Sequence, residues 1–160
     1  MTAGPTEAQG SVQVCPWDGS GRLDELLALV HAAFEGLQPP SSVLRETLAD
    51  LAERLRVETA LIAQVGDEIV GSVFCASKGD ALYLTRMAVA PIWRGRGVGS
   101  ALLRAAADEA RRIGGARLTL RVRQNLPGNR SYFERRGFVV IGEGREDDRA
   151  PYLAMEYVVR

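Results

Sequence analysis

The chain has 160 residues, with 20 basic and 20 acidic side chains and a formal net charge of zero. That length lets one domain enclose a core unaided, and an apolar fraction of 46% beside 25% charged residues is globular rather than disordered composition. The balanced charge excludes a protein that coats nucleic acid or anionic membrane through bulk positive charge.

Residues 1–11 are small and polar. They lack the basic start and apolar core of a secretory leader, and read as a flexible tail before a single domain over 12–160. Residues 12–15 predict a short strand, stopped by Pro16. Leu23, Leu26, Leu27, Val30, Phe34 and Leu37 follow helical spacing over 22–37, and Gly36 with Pro39-Pro40 ends that helix. Ser41 or Ser42 caps a second predicted helix, with Leu44, Leu48, Leu51 and Leu55 as its inner face. The period then changes. Apolar runs of strand length at 60–65 and 69–76 flank the turn Gly66-Asp67, and Gly79-Asp80 leads into a third strand over 82–89. After Pro91 comes a glycine-rich loop, then a helix over 98–113 with the face Val98, Leu102, Ala106, Ala110 and Ile113, ended by Gly114-Gly115. A strand over 118–122 completes a β–loop–α–β unit, so the strands on either side of that helix are expected to be parallel. A short helix over 127–136 stops at Gly137, and strands over 138–141 and 152–159 flank a charged loop, 143–149. The order β-αα-βββ-α-β-α-ββ predicts an α+β fold: one mixed, mostly antiparallel sheet of six to seven strands with helices on both faces.

No apolar run reaches the 18 residues that suggest a membrane span. Cys15 and Cys75 make no disulfide framework, and no CxxC or Cys/His cluster suggests a metal. Cys75 lies in an apolar run, as a small buried residue would. These features together suggest a reduced, cytoplasmic protein that needs no metal.

The most informative stretch is Arg94-Gly95-Arg96-Gly97-Val98-Gly99-Ser100, which follows a strand and opens a helix. There, glycines let a ligand approach the backbone, and the helix start offers unpaired N–H groups and a positive dipole end. Arg94 and Arg96 add two cations. A phosphate or pyrophosphate ligand is the physical expectation; a glycine-rich turn with exposed arginines is the plain alternative. No Gly-Lys-Ser/Thr follows, so the loop is not a P-loop, and Ser100 stands where a dinucleotide fingerprint needs its third glycine. The segment 94–136 holds 11 arginines against Asp108, Glu109 and Glu134, so the zero net charge conceals a strongly positive stretch.

Met87-Ala88-Val89-Ala90-Pro91, followed by Arg94-x-x-Gly97-x-Gly99 and a helix with Leu102-Leu103, resembles the GNAT superfamily of acyl-CoA-dependent N-acyltransferases. Phe133-Glu134-Arg135-Arg136-Gly137-Phe138 resembles its second landmark, an aromatic four residues before Gly-Phe. The likeness covers residues 12–159 and is most specific over 82–138. It implies acetyl transfer from acetyl-CoA to a primary amine of a small molecule or peptide, by direct attack in a ternary complex. It further implies that the backbone of Met87, Ala88 and Val89 pairs with the pantetheine arm. The amides of Gly95, Arg96, Gly97, Val98, Gly99 and Ser100, with Arg94, would hold the pyrophosphate. A main-chain N–H near Val89 would polarise the thioester carbonyl. Homodimers through the late strands are common among proteins of this likeness.

The chain also departs from the pattern. Where the family often has a tyrosine as acid toward the CoA thiolate, this chain has Phe133; the neighbouring Tyr132 is the candidate acid, or else a core or rim aromatic. Where many members have an asparagine, this chain has Leu126. Asn125 and Asn129 flank it, and Asn129 is the better candidate for a CoA contact. Arg121 occupies the position at which related protein N-terminal acetyltransferases often carry a glutamate. The proton acceptor stays open among water, Glu35, Glu46 and an acid of the 143–148 loop. His31 reads as a polar residue of the first helix, and Tyr83 and Arg86 face either a substrate or the far side of the sheet. Substrate selection is expected from the first two helices, their connection and the last hairpin, where Glu146-Asp147-Asp148 would suit a cationic amine or form a solvated turn. A non-catalytic acyl-CoA-binding module of the same fold is the rival reading, and a protein-binding domain without CoA affinity is the third.

Overall fold

The computed structural model describes residues 11–19, 21–145 and 149–159. The first half of the chain builds an antiparallel meander of β1 (Gln13–Pro16), β2 (Thr59–Val65), β3 (Glu68–Lys78) and β4 (Ala81–Val89). Gly66-Asp67 and Gly79-Asp80 each close a two-residue hairpin, with Val65 opposite Glu68 and Lys78 opposite Ala81. The second half adds β5 (Arg117–Arg123), β6 (Val139–Gly144) and β7 (Tyr152–Val158). Among the described residues the seven strands form one sheet in the order β1-β2-β3-β4-β5-β7-β6. The β4–β5 pair is parallel, as its helical crossover requires, and the other described pairs are antiparallel.

Strand alternation gives the sheet two apolar faces. On one, Leu61, Val73, Leu82, Leu118, Leu120 and Met155 pack against helices α3 (Val98–Arg112) and α4 (Pro127–Glu134). On the other, Ala60, Ile62, Phe74 and Ala88 pack against α1 (Leu23–Phe34) and α2 (Leu48–Arg54) through Leu26, Leu29, Val30 and Leu51. The expected α+β architecture is the one observed.

Several boundaries differ from expectation. α1 ends at Phe34 rather than residue 37, because Glu35 is already extended (φ −69°, ψ 150°). The second helix is broken in two. Ser41 caps only a 3-10 turn, Ser42–Arg45, and Glu46 returns to extended backbone. Thr47 then caps α2, its hydroxyl accepting from the Asp50 N–H while Asp50 accepts from the Thr47 N–H. This break shifts the helical register, so Leu48 is exposed and Val43, rather than Leu44, joins the core cluster. Phe138 is buried in the turn before β6 rather than beginning the strand, and Glu143 belongs to β6 rather than to a loop. Residues 146–148, where an acidic loop is expected, lie outside the described residues, as do residues 1–10 of the expected tail.

Candidate active site

β4 and β5 share a ladder of three rungs: Ala81–Arg117, Leu82–Leu118 and Tyr83–Thr119. β4 runs on to Val89 and β5 to Arg123 without further pairing between them. The strands therefore part after Tyr83 and leave a cleft in the middle of the sheet. On its other side β4 stays paired to β3, with one irregularity. Between the pairs Ser72–Ala88 and Phe74–Thr85, β4 carries one residue more than β3. Arg86 absorbs it at φ 50°, an unusual angle for a residue with a Cβ, and Ser72 Oγ caps the bulge by donating to the Arg86 carbonyl (3.3 Å). Beyond the bulge, Ala90 N donates to Val70 O (2.8 Å) and Gly71 faces Val89. Val89 is thus the non-hydrogen-bonded residue of that ladder, and its N–H points away from β3, into the cleft. Unpaired backbone along a strand edge is a template for an extended amide-bearing ligand.

The glycine loop lies at the open end of the cleft. Pro91–Trp93 form a 3-10 turn, and Gly95 and Gly97 follow at φ 74° and 85°. Such angles disfavour any side chain, and a Cβ at either position meets nothing within 4 Å, so the backbone there is open to a ligand. Gly97 is the N-cap of α3, with no side-chain cap and no acid in the first turn. The first N–H groups of α3 therefore keep their donor capacity, which fits a pyrophosphate. Arg94 is exposed, and Arg96 lies 5.1 Å over the buried Trp93 ring.

Gly99 differs from Gly95 and Gly97. Its place is one of close packing rather than open approach: a Cβ there would stand 1.9 Å from the Tyr132 hydroxyl and 3.2 Å from Met87 Cε. The Tyr132 phenol thus reaches from α4 across to the first turn of α3, beside the end of β4. The Arg136 guanidinium lies 3.5 Å over its ring, donates to the Tyr132 carbonyl (2.8 Å) and donates to Ser100 Oγ (3.1 Å). Burial pushes the Tyr132 phenol above its ordinary value, against a smaller downward pull from Arg136. Phe133 lies edge-on between two rings, 5.1 Å from the centre of Tyr132 and 5.4 Å from that of Phe138.

The remaining candidates separate. Asn129 is exposed in the first turn of α4, with its backbone N–H bonded to Leu126 O. Asn125 Nδ2 donates to Gln38 O (2.9 Å), and Arg123 donates to Pro39 O (2.5 Å), so the end of β5 is tied to the connection after α1. Glu46 accepts from Arg86 on the bulge and from Arg54 on α2, while its carbonyl contacts His31 Nε2 at 3.0 Å. With both side chains about nine-tenths buried, Glu46 and Arg86 form an anchor for the bulge, and His31 belongs to that anchor. Glu35 only ends α1. The Arg86–Glu46 pair was not foreseen as a pair: 40 residues separate the partners, and neither stands in a motif.

Two cavities lie on opposite faces of the sheet. One, of about 400 Å³, runs beside α3 between Ser100, Arg104, Arg111 and Arg136. The other, of about 420 Å³, opens on the α1–α2 face of the sheet.

The Acetyltransferase (GNAT) family profile matches residues 23–138. Among solved structures, the chain is similar to a ribosomal-protein alanine N-acetyltransferase from Escherichia coli (TM-score 0.74, 19% identity, 93% of this chain and 94% of that one). It is also similar to PaiA N-acetyltransferase from Thermoplasma acidophilum, solved with coenzyme A (TM-score 0.78, 15% identity, 93% and 99%). A third is a GNAT-family acetyltransferase from Streptococcus pneumoniae (TM-score 0.72, 18% identity, 93% and 100%). No curated protein matches the sequence.

Proposed function

Because the chain belongs to the GNAT acetyltransferase family, we propose that it moves an acetyl group from acetyl-CoA to a primary amine, by direct attack within a ternary complex. The observation that carries this reading is the cleft between β4 and β5, opening beside a helix start with no cap of its own. In this reading Met87, Ala88 and Val89 hold the pantetheine amides along the free edge of β4. The amides of residues 95–100, with Arg94 and Arg96, hold the pyrophosphate, and Asn129 adds a contact from α4. The inward N–H of Val89 is the donor aimed at the thioester oxygen, where negative charge develops.

Acetyl-CoA supplies an activated carbonyl with a thiolate leaving group. The amine nitrogen bonds to that carbon, the C–S bond breaks, and the amine gives up a proton to water. Tyr132 supplies a proton to the departing sulfur. The phenol is protonated at neutral pH, burial pushing its pKa further up, and its hydroxyl lies against the first turn of α3. Release of free thiol from acetyl-CoA across a panel of amines and peptides tests the reading. Turnover with at least one acceptor is the expected result; tight CoA binding without turnover on any acceptor would refute catalysis. That second outcome is what a non-catalytic acyl-CoA-binding module predicts, a reading favoured by one observation, the packed Phe133 in place of a phenol. A rise in melting temperature on adding CoA separates both from a domain without CoA affinity.

A further inference from the structure

The bulge at Arg86 decides which way the Val89 N–H points. In a regular strand, the face a side chain takes and the edge its N–H addresses alternate together. Before the bulge, Leu82 and Leu84 pack in the cluster under α3. After it, Met87 and Val89 pack there, and Ala88 joins the opposite cluster. The extra residue has inverted the alternation. A β4 that kept the register of the Phe74–Thr85 pair to its end would turn Val89 onto the other face and its N–H toward β3. The inward N–H exists only because the bulge does.

A positive φ at a residue with a Cβ is unfavourable by itself, so the bulge has to be held from outside. Ser72 on β3, fully buried, donates from Oγ to the Arg86 carbonyl (3.3 Å). Glu46 accepts from Arg86 Nε (2.9 Å) and from a terminal nitrogen of the same guanidinium, a two-point grip that fixes the plane of the group. Glu46 is fixed in turn: its carboxylate accepts from Arg54 on α2, and its carbonyl meets His31 Nε2 on α1. It also follows directly on the 3-10 turn Ser42–Arg45, and Ser41, Ser42 and Arg45 line the cavity of about 420 Å³. One carboxylate thus ties the wall of that cavity to the strand that presents Val89.

Resting on the acetyltransfer reading above, we propose that Glu46 and Arg86 are positioning residues of the reaction: their ion pair holds the β4 bulge that aims the Val89 N–H at the thioester oxygen. They act through the backbone rather than on the reacting atoms. Their loss therefore lowers the rate of the chemical step more than it weakens acetyl-CoA, whose pyrophosphate is assigned to the glycine loop.

The test separates position from stability. Glu46→Leu with Arg86→Met removes the ion pair but keeps the site filled and apolar, the exchange that spares stability when a buried pair is replaced whole. In that double variant, kcat with the best acceptor of an amine panel should fall about tenfold to a hundredfold, the scale of a misplaced oxyanion donor. KM for acetyl-CoA should change by less than about threefold. Arg86→Lys keeps a cation beside Glu46 without the fork and should fall between wild type and the double variant; it decides alone if the double variant does not fold. The direct readout is the Val89 amide proton by NMR, with acetyl-CoA compared against CoA. Wild type should show a downfield shift specific to acetyl-CoA, and the variants should lose part or all of it. Equal kcat or an unchanged Val89 shift in folded variants would overturn the positioning role, as would a wild type with no acetyl-specific shift. A Val89 shift that depends on the pair, without thiol release by wild type on any acceptor, defeats acetyl transfer alone. Thiol release with a Val89 shift indifferent to the pair defeats positioning alone.

Discussion

Tyr132 shows how one side chain's neighbours decide its chemistry. Its phenol is half-buried, so its ionised form is disfavoured, and a proton donor is what such a group offers. Tyr132→Phe is expected to lower kcat about a hundredfold, as loss of one general acid does, with little change in KM for acetyl-CoA. The wild-type rate should fall as pH rises past the ordinary tyrosine range, because the acid is then ionised, and the variant should lack that limb. Gly99→Ala places a methyl 1.9 Å from the Tyr132 hydroxyl, so the Tyr132 side chain must move. A loss of about 1–3 kcal/mol by chemical denaturation is expected, with activity falling alongside it. The two cysteines divide by environment: burial pushes the Cys75 thiol up to about 12, whereas Cys15 is exposed. Alkylation at neutral pH should modify one thiol per native chain and two after unfolding, read by intact mass. The glycines and arginines of the loop could be read from the sequence because the motif is local. Tyr132 was legible as a candidate, but its approach to Gly99 was not, because two separate helices have to meet before it exists.

At the scale of elements, the bulge in β4 is the clearest case of local structure held from outside. Arg86 keeps a positive φ without being glycine, and its guanidinium is anchored by Glu46 on the segment between the 3-10 turn and α2. Glu46→Gln leaves that buried cation without its counter-charge. A loss of about 3 kcal/mol is expected from urea unfolding, and the double change Glu46→Leu with Arg86→Met should recover much of it. The same logic explains what the sequence hid. Helical spacing of Leu44, Leu48, Leu51 and Leu55 suggested one continuous helix, yet Thr47-x-x-Asp50 already carried the signature of a fresh start. The early hairpins and the parallel crossover followed from period and loop length. Nothing local signals the bulge, whose Arg86 is anchored by an ion pair across 40 residues.

Viewed whole, the molecule separates its charges as it separates its faces. Of the 11 arginines of residues 94–136, Arg94 and Arg96 supply the glycine loop, Arg104, Arg111 and Arg136 the α3 cavity, and Arg121 and Arg123 the other side of the sheet. The composition read as neutral because acidic groups elsewhere offset this segment, and no linear motif could reveal a cavity assembled from four separate stretches. The three-rung ladder between β4 and β5 has a further mechanical meaning. It is the seam joining two antiparallel half-sheets, β1 to β4 and β5 to β6, and it is clasped at its closed end by Arg117, which donates to Asp80 and Glu156 (both 2.7 Å). A waist so narrow is expected to be the most compliant part of the sheet, with the width of the cleft set by how the half-sheets move about it. Arg117 holds the Asp80 carboxyl below its ordinary pKa, so the clasp is intact above the usual aspartate range and weakens as pH falls through the lowered value. Amide hydrogen exchange should therefore be faster across residues 81–83 and 117–119 than in the long β2–β3 ladder, and Asp80→Asn should accelerate the seam selectively. Uniform protection across all strands would show instead that the sheet moves as one rigid plate.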